Sequence, residues 1–132
     1  MTIIPSYAAL LALLFIYLSL RVIRTRRRER VALGDEGRAS LRRAIAVHGN
    51  FAEYTPLALL LGAFVELQGL APLLIHAIGL TLLLGRLIHA YGVSQPREDF
   101  RLRVAGMALT FTSLGLSSLV LIGSALFGGS PA

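Results

Sequence analysis

The chain has 132 residues, 55% of them hydrophobic and only 15% charged; a soluble domain carries about 25% charged residues, so the polar surface of a water-soluble globule is lacking and the chain is too apolar to be disordered. It has no Cys, which excludes a disulfide framework, a thiolate nucleophile of its own and a zinc-thiolate site. The formal net charge is +6, all the basic residues are Arg, and nine of them fall between Arg21 and Arg43 directly after an apolar run, a pattern of membrane-protein cytoplasmic loops and not of a nucleic-acid surface.

A bilayer core takes roughly 20 consecutive apolar residues in helical form. Four runs meet that length: Ile3 to about Ile23, about Leu41 to Leu67, Ala71 to Gly92, and about Val104 to Phe127. They predict an all-α integral membrane four-helix bundle, a single domain over residues 1–132. The first run has no basic segment before it, so it reads as a retained span and not as a signal peptide.

Loop charge sets the expected orientation. The segment 21–43 sets nine Arg against Glu29, Asp35 and Glu36, and the segment 92–103 sets Arg97, Arg101 and Arg103 against Glu98 and Asp99, while the connection Gln68 to Leu70 is uncharged. Both basic loops are therefore expected in the cytoplasm, with both termini on the non-cytoplasmic side. The arginine cluster is also suited to anionic lipid headgroups.

Small residues recur in the last two spans, at Gly79, Gly85 and Gly92 and at Gly106, Gly115 and Gly123, and are expected to let helices approach closely in lipid. The fourth span also carries Thr110, Thr112, Ser113, Ser117, Ser118 and Ser124, whose hydroxyls are expected mostly to bond their own helix.

The ionisable groups within the spans are the functional candidates, because such a group near the bilayer centre costs at least ~2.5 to 3.5 kcal/mol and usually faces a cavity or a partner. In the second span, Arg43, Asn50 and Glu53 lie within about 80° of one another at 100° per residue. Ala46 and Leu57 share that stripe, which is expected to face inward. His48 lies about 160° from Asn50 by the same arithmetic and reads as a hydrogen-bonded interface histidine. Pro56 removes a helical donor beside Glu53 and either opens space between helices or is a tolerated membrane proline.

In the third span Arg86 and His89 are three apart on one face, near the cytoplasmic end. Glu53 is roughly 18 Å from the start of its span at 1.5 Å per residue. Arg43, Asn50, Glu53, Arg86 and His89 can thus converge in the cytoplasmic half, or Glu53 can form a buried ion pair with Arg86 or Arg43 that fixes helix register. Glu66 and His76 lie toward the outer face, where snorkelling to water is expected. Guanidiniums bind carboxylates, a carboxylate suits an ammonium, and an amide supplies both donors and acceptors. A small zwitterion with extra carboxylates fits this set. No metal is expected, since His48, His76 and His89 have no ligand-like spacing.

Two blocks carry a family resemblance. His48-Gly49-Asn50-Phe51-Ala52-Glu53-Tyr54-Thr55-Pro56 resembles the H-x-N-x-x-E stretch and following Pro of the MAPEG family (membrane-associated proteins in eicosanoid and glutathione metabolism), and Gly85-Arg86-Leu87-Ile88-His89 resembles its G-R-x-x-H. The resemblance covers about residues 40 to 125 and is to the small bacterial members. It implies a homotrimer in a bacterial inner membrane that binds glutathione between subunits on the cytoplasmic side. Asn50 and Glu53 match glutathione-contacting positions, His89 matches a pocket position, and Arg103, with Arg101 as runner-up, matches the arginine near the thiol. Where animal members carry an Arg two residues before the motif His and another just after it, this chain has Ala46 and Gly49, with Arg43 one turn earlier as a substitute.

The expected function is a membrane-embedded, glutathione-dependent transferase or peroxidase acting on a lipophilic electrophile from the bilayer. Arg103 is the expected catalytic residue, stabilising the thiolate, and Arg43, Asn50, Glu53, Arg86 and His89 are the expected glutathione-binding residues. The alternatives are a non-catalytic membrane scaffold with a degenerate pocket and a small four-span transporter using Glu53 as a proton-coupled carboxylate.

Overall fold

The computed structural model describes residues 1–128, which form four α-helices: α1 (Ile3–Glu29), α2 (Ala39–Leu67), α3 (Pro72–Ser94) and α4 (Phe100–Phe127). The C-terminal residues 129–132, the end expected on the non-cytoplasmic side, lie outside the described residues. The short connections make successive helices antiparallel, so the α1–α2 and α3–α4 loops share one end of the bundle, the arginine-rich end. In cross-section α2 and α3 each touch all three other helices, while α1 and α4 lie on opposite flanks.

The helix ends differ from the apolar runs for local reasons. α1 continues six residues past Ile23 because Arg is a good helix former, and Arg26, Arg27 and Arg28 in its last turn complement the helix dipole. It stops at Arg30, which takes a left-handed φ of 56° and donates its N–H to the Arg26 carbonyl. In the following loop Asp35 accepts from Arg42 Nε at 3.0 Å and from the Gly37 N–H at 2.8 Å; these bonds hold its carboxyl below the usual range. α4 begins four residues before Val104 because the Asp99 side chain caps it, accepting from the Arg101 and Leu102 N–H groups.

By length and composition α1, α3 and α4 can each cross a membrane, and the chain is an integral membrane protein. α2 has 29 residues but falls short on composition, because it carries Arg42, Arg43, His48, Asn50, Glu53 and Glu66. Its contacts with every other helix give several of those groups the partners that lipid cannot.

The inward face of α2 is not the expected one. Leu41, Ala44, Val47, Phe51, Thr55, Ala58, Gly62 and Val65 are buried, whereas Ala46, Glu53 and Leu57 are exposed on the outside of the chain. One apolar cluster joins Leu11 and Leu18 of α1, Val47, Phe51 and Ala58 of α2, and Leu82 and Ala90 of α3. A second, at the far end, joins Ile4, Val65, Ile75 and Ile78.

Two groups expected to snorkel instead make specific bonds. Glu66 accepts from the backbone N–H groups of Thr2, Ile3 (2.7 Å) and Ile4 (2.8 Å), supplying the anion that the first turn of α1 lacks. His76 Nδ1 lies 3.0 Å from the Tyr7 hydroxyl, and the Tyr7 ring packs flat enough on Gly79 to exclude a side chain there. The closest helix crossing is α3 on α4, where a Cβ on Gly106 would stand 2.5 Å from the His89 backbone nitrogen and one on Gly85 3.0 Å from the Gly106 carbonyl. Gly115 and Gly123, expected to serve in the same way, face open space. Thr110, Thr112 and Ser118 bond carbonyls one turn back in α4, while Ser113 reaches the Ile78 carbonyl of α3.

Gly106→Leu is expected to destabilise the bundle by about 1–3 kcal/mol, the usual range for overpacking a tight site, read as a lowered melting temperature in detergent. Gly115→Leu, with no neighbour to displace in the chain, leaves the melting temperature of the single chain unchanged.

Candidate functional site

At the arginine-rich end, α2, α3 and α4 enclose a cavity of about 290 Å³. Arg42, Arg43, Ala46 and Asn50 of α2, His89 and Val93 of α3, Glu98 of the α3–α4 loop and Arg103 of α4 line it. Of the six residues singled out from sequence, Arg43, Asn50, His89 and Arg103 are on its wall, and Arg86 lies behind it. Glu53 is not: it is exposed on the outer face of α2, with no hydrogen bond or ion pair among the described residues. The ion pair considered for it with Arg86 or Arg43 does not form within the chain. Arg101 is exposed and does not line the cavity.

Arg86 fixes the floor. Its side chain is the largest that is fully enclosed, with the residue 1% exposed. Its Nη1 donates to Asn50 Oδ1 at 2.7 Å and to the Asn50 carbonyl at 3.4 Å, its Nε donates to Thr110 Oγ1 at 3.1 Å, and its Nη2 lies 3.3 Å from Met107 Sδ. One guanidinium thus ties α3 to both α2 and α4. The close approach of Gly85 and Gly106 brings Thr110 within reach, and Thr110 passes the link to its own helix by donating to the Gly106 carbonyl at 2.8 Å.

No carboxylate lies within ion-pair distance of Arg86 among the described residues, so its charge is solvated by neutral acceptors alone. Because Asn50 spends Oδ1 on Arg86, the Asn50 amide is oriented with Nδ2, which makes no bond among the described residues, left for the cavity. The floor therefore offers donors, and suits a ligand's carboxylate or carbonyl oxygen.

The rim is a carboxylate between two guanidiniums. Glu98 Oε1 is 2.7 Å from Arg103 Nη1, and Glu98 Oε2 is 3.7 Å from Arg43 Nη1, which also donates to the Val93 carbonyl at 2.9 Å. Both pairs are partly exposed, so each contributes little to stability; their geometry defines a seat for a carboxylate. His89, 4% exposed, forms the wall between floor and rim. Arg103 also borders a second, apolar groove of about 270 Å³ on the outer face of α4, lined by Phe100, Val104, Met107, Ala108 and Phe111.

His48 faces away, as its angular position requires: Nε2 lies 3.0 Å from the Ser19 hydroxyl and the ring stacks on Phe15. Pro56 borders an apolar cleft between α1 and α2, and no group of three or more potential metal ligands occurs among the described residues. Sequence reasoning missed Glu98 and Met107 and undervalued Thr110. Glu98 had a signal, an acid in a short basic loop; Met107 had none.

Asn50→Leu removes a main acceptor of a buried charge and is expected to cost about 2–3 kcal/mol, within the range for hydrogen bonds to charged groups. The double variant Asn50→Leu with Arg86→Met, which removes the charge as well, is expected to recover at least half of that loss, read by thermal denaturation in detergent.

The MAPEG family model matches residues 4–123, nearly the whole bundle. The chain is 43% identical over 113 residues to the inner membrane protein YecN of Escherichia coli strain K12, an alignment covering 86% of this chain and 85% of that protein. It has the same identity and coverage with inner membrane protein YecN of Escherichia coli O6:H1.

Proposed function

The chain belongs to the MAPEG family, and from that premise we propose that it binds glutathione in the cavity at its arginine-rich end and activates the thiol against lipophilic electrophiles. The family includes glutathione transferases and peroxidases. The observation that carries the reading is the carboxylate seat between Arg43 and Arg103, directly above the donor floor of Asn50 and beside an apolar groove on α4. A carboxylate-rich tripeptide takes the rim, displacing Glu98, and the Asn50 amide donates to one of its oxygens. Arg86 positions Asn50 and adds positive potential without touching the ligand. His89 shapes the wall.

Arg103 is the catalytic residue in this reading. The reactive form of a thiol is its thiolate, and a free thiol has a pKa of about 8.5; a guanidinium next to the sulfur favours the anion. The thiolate then forms a C–S bond to an electrophilic carbon held in the groove of Phe100, Val104 and Phe111, whose leaving group departs with its bonding pair. With a lipid hydroperoxide there it takes the outer oxygen instead, the O–O bond breaks, and the lipid leaves as an alkoxide that is protonated to the alcohol. A second glutathione converts the resulting sulfenic acid to glutathione disulfide and water. The bilayer delivers the apolar substrate and the cytoplasm the tripeptide, since the arginine-rich loops stay on the cytoplasmic side.

Glu53 supports an oligomer. A carboxylate in the middle of a membrane-inserted helix, exposed on the chain's own surface and without a partner among the described residues, is served by one from outside the chain. A homotrimer that sets a neighbouring copy against α2 supplies it, completes the glutathione site between subunits and gives Glu53 the ligand's ammonium or a partner cation.

Purified protein in nanodiscs, given glutathione and chlorodinitrobenzene, is expected to turn over; Arg103→Ala is expected to lower kcat/KM by about 100-fold, the scale of losing one charge-stabilising donor, while Arg101→Ala stays close to the parent. Glutathione binding heat without turnover would favour the scaffold, and no heat would remove the reading. Proton-dependent uptake lost in Glu53→Gln would favour the transporter instead. Glu98→Gln is expected to tighten glutathione binding by about two- to fivefold in calorimetry, because it removes an internal competitor worth no more than a surface ion pair.

A further inference from the structure

The arginine-rich end holds a second cavity, of about 500 Å³, that the glutathione reading does not use. Four guanidiniums line it: Arg21, Arg24 and Arg28 of α1 and Arg43 of α2. Four hydroxyl-bearing residues, Tyr17, Thr25, Ser40 and Ser94, complete its polar wall, and no acid is among its lining residues. Arg21 donates through Nη1 to the Ser94 hydroxyl and through Nη2 to the Ser94 carbonyl. Arg28 has Glu29 at 3.7 Å, and Arg43 has Glu98 at 3.7 Å. Arg24 makes no hydrogen bond or ion pair among the described residues. The cavity is thus strongly cationic and only partly neutralised.

Its lower edge continues into a groove of about 450 Å³ between α1 and α3, with which it shares Tyr17, Arg21 and Ser94. Leu14, Leu18, Leu87 and Ala90 make its lower part apolar, while Tyr17, Arg21, Tyr91, Ser94 and Gln95 line the part nearer the cavity. On α1 the two cavities follow one face, on which Leu14, Tyr17, Leu18, Arg21, Arg24 and Arg28 each have another of the set three or four residues away. Seven residues of helix rise about 10 Å, so the face is apolar for about 10 Å below Arg21 and cationic for about 10 Å above it. Tyr17 and Tyr91, 57% and 63% exposed, flank the changeover, the level at which tyrosines sit in a membrane interface.

We propose that this cleft binds one anionic phospholipid, with its phosphate among Arg21, Arg24 and Arg28 and an acyl chain in the groove past Leu18 and Leu87. The order of the cleft, apolar below the interface and cationic just above it, is that of a phospholipid in the leaflet. An anionic headgroup is selected over a zwitterionic one because four cations line the cavity, and the carboxylates at its edge are already engaged, Glu29 by the Ser40 hydroxyl at 3.1 Å and by Arg28, and Glu98 by Arg43 and Arg103. A soluble phosphate would use the upper half alone and leave the leucine-lined lower part of the groove without a role. The proposal stands apart from the glutathione reading, and its test spares Arg43, which borders both cavities.

The test is native mass spectrometry of the protein released from nanodiscs of equal dioleoylphosphatidylglycerol and dioleoylphosphatidylcholine. Phosphatidylglycerol is expected to stay bound in preference to phosphatidylcholine. Arg24→Gln with Arg28→Gln is expected to lower its retention by about tenfold or more, the effect of two basic residues at a membrane surface. Arg27→Gln with Arg30→Gln removes equal charge from the same end but outside the cleft, and is expected to change retention less than about twofold. Equal losses in both double variants would reduce the cleft to diffuse surface attraction and overturn the proposal. So would equal retention of the two lipids, or of neither. Glycerol phosphate, a headgroup without tails, is expected not to displace the lipid at matched concentration; if it does, the site belongs to a soluble anion and the lipid assignment fails.

Discussion

A single buried cation organises the functional end of this bundle. Arg86 is enclosed among three helices with no counter-ion among the described residues, in a setting where an unsolvated charge is very costly, and it donates to the Asn50 amide and carbonyl, the Thr110 hydroxyl and the Met107 sulfur. Neutral acceptors solvate the charge without cancelling it. Positive potential therefore reaches the cavity above, and the amide that separates guanidinium from cavity has its orientation fixed. The glycine-mediated contact of α3 with α4 is the geometric condition for this arrangement, since any side chain at Gly106 would push the Thr110 acceptor away.

Much of the architecture could be read from residue order. The apolar runs match the helix cores, because a bilayer demands length and apolarity of every span. Asn50, Arg86 and His89 come together as their spacing implies, and His48 points away as its angle requires. The direction in which α2 faces could not be read. In a soluble helix the apolar side is the inner side, but in lipid the outer side is apolar as well, so a polar stripe does not reveal whether it looks into its own chain or out of it. Arg43, Asn50 and Glu53 do form one stripe. It lies along the edge of the chain's packing surface, so that Arg43 and Asn50 reach the cavity and Glu53 faces out. The partner of Glu66 lies more than sixty positions away at the other end of the sequence, and no local pattern signals such a pairing.

The arginines of this end divide into two groups. Arg43 and Arg103 hold Glu98 at the rim of one cavity, and Arg21, Arg24 and Arg28 surround another, with Arg43 on the border of both. The arginines of two loops that are separate in sequence thus line two cavities, one beside an apolar groove on α4 and one continuous with a groove between α1 and α3. Each sets an arginine-lined cavity next to apolar side chains on the flank of the bundle, the arrangement from which both proposals start.

The central claim is that the donor floor and arginine rim together form a tripeptide site. A cryo-EM structure in nanodiscs with glutathione sulfonate, whose fixed anion replaces the thiolate, tests it most directly. The account predicts density between Asn50 and Arg103, with the Glu98 carboxylate turned out of the rim and the sulfonate beside the Arg103 guanidinium. Density elsewhere, with Glu98 still seated between Arg43 and Arg103, would contradict it.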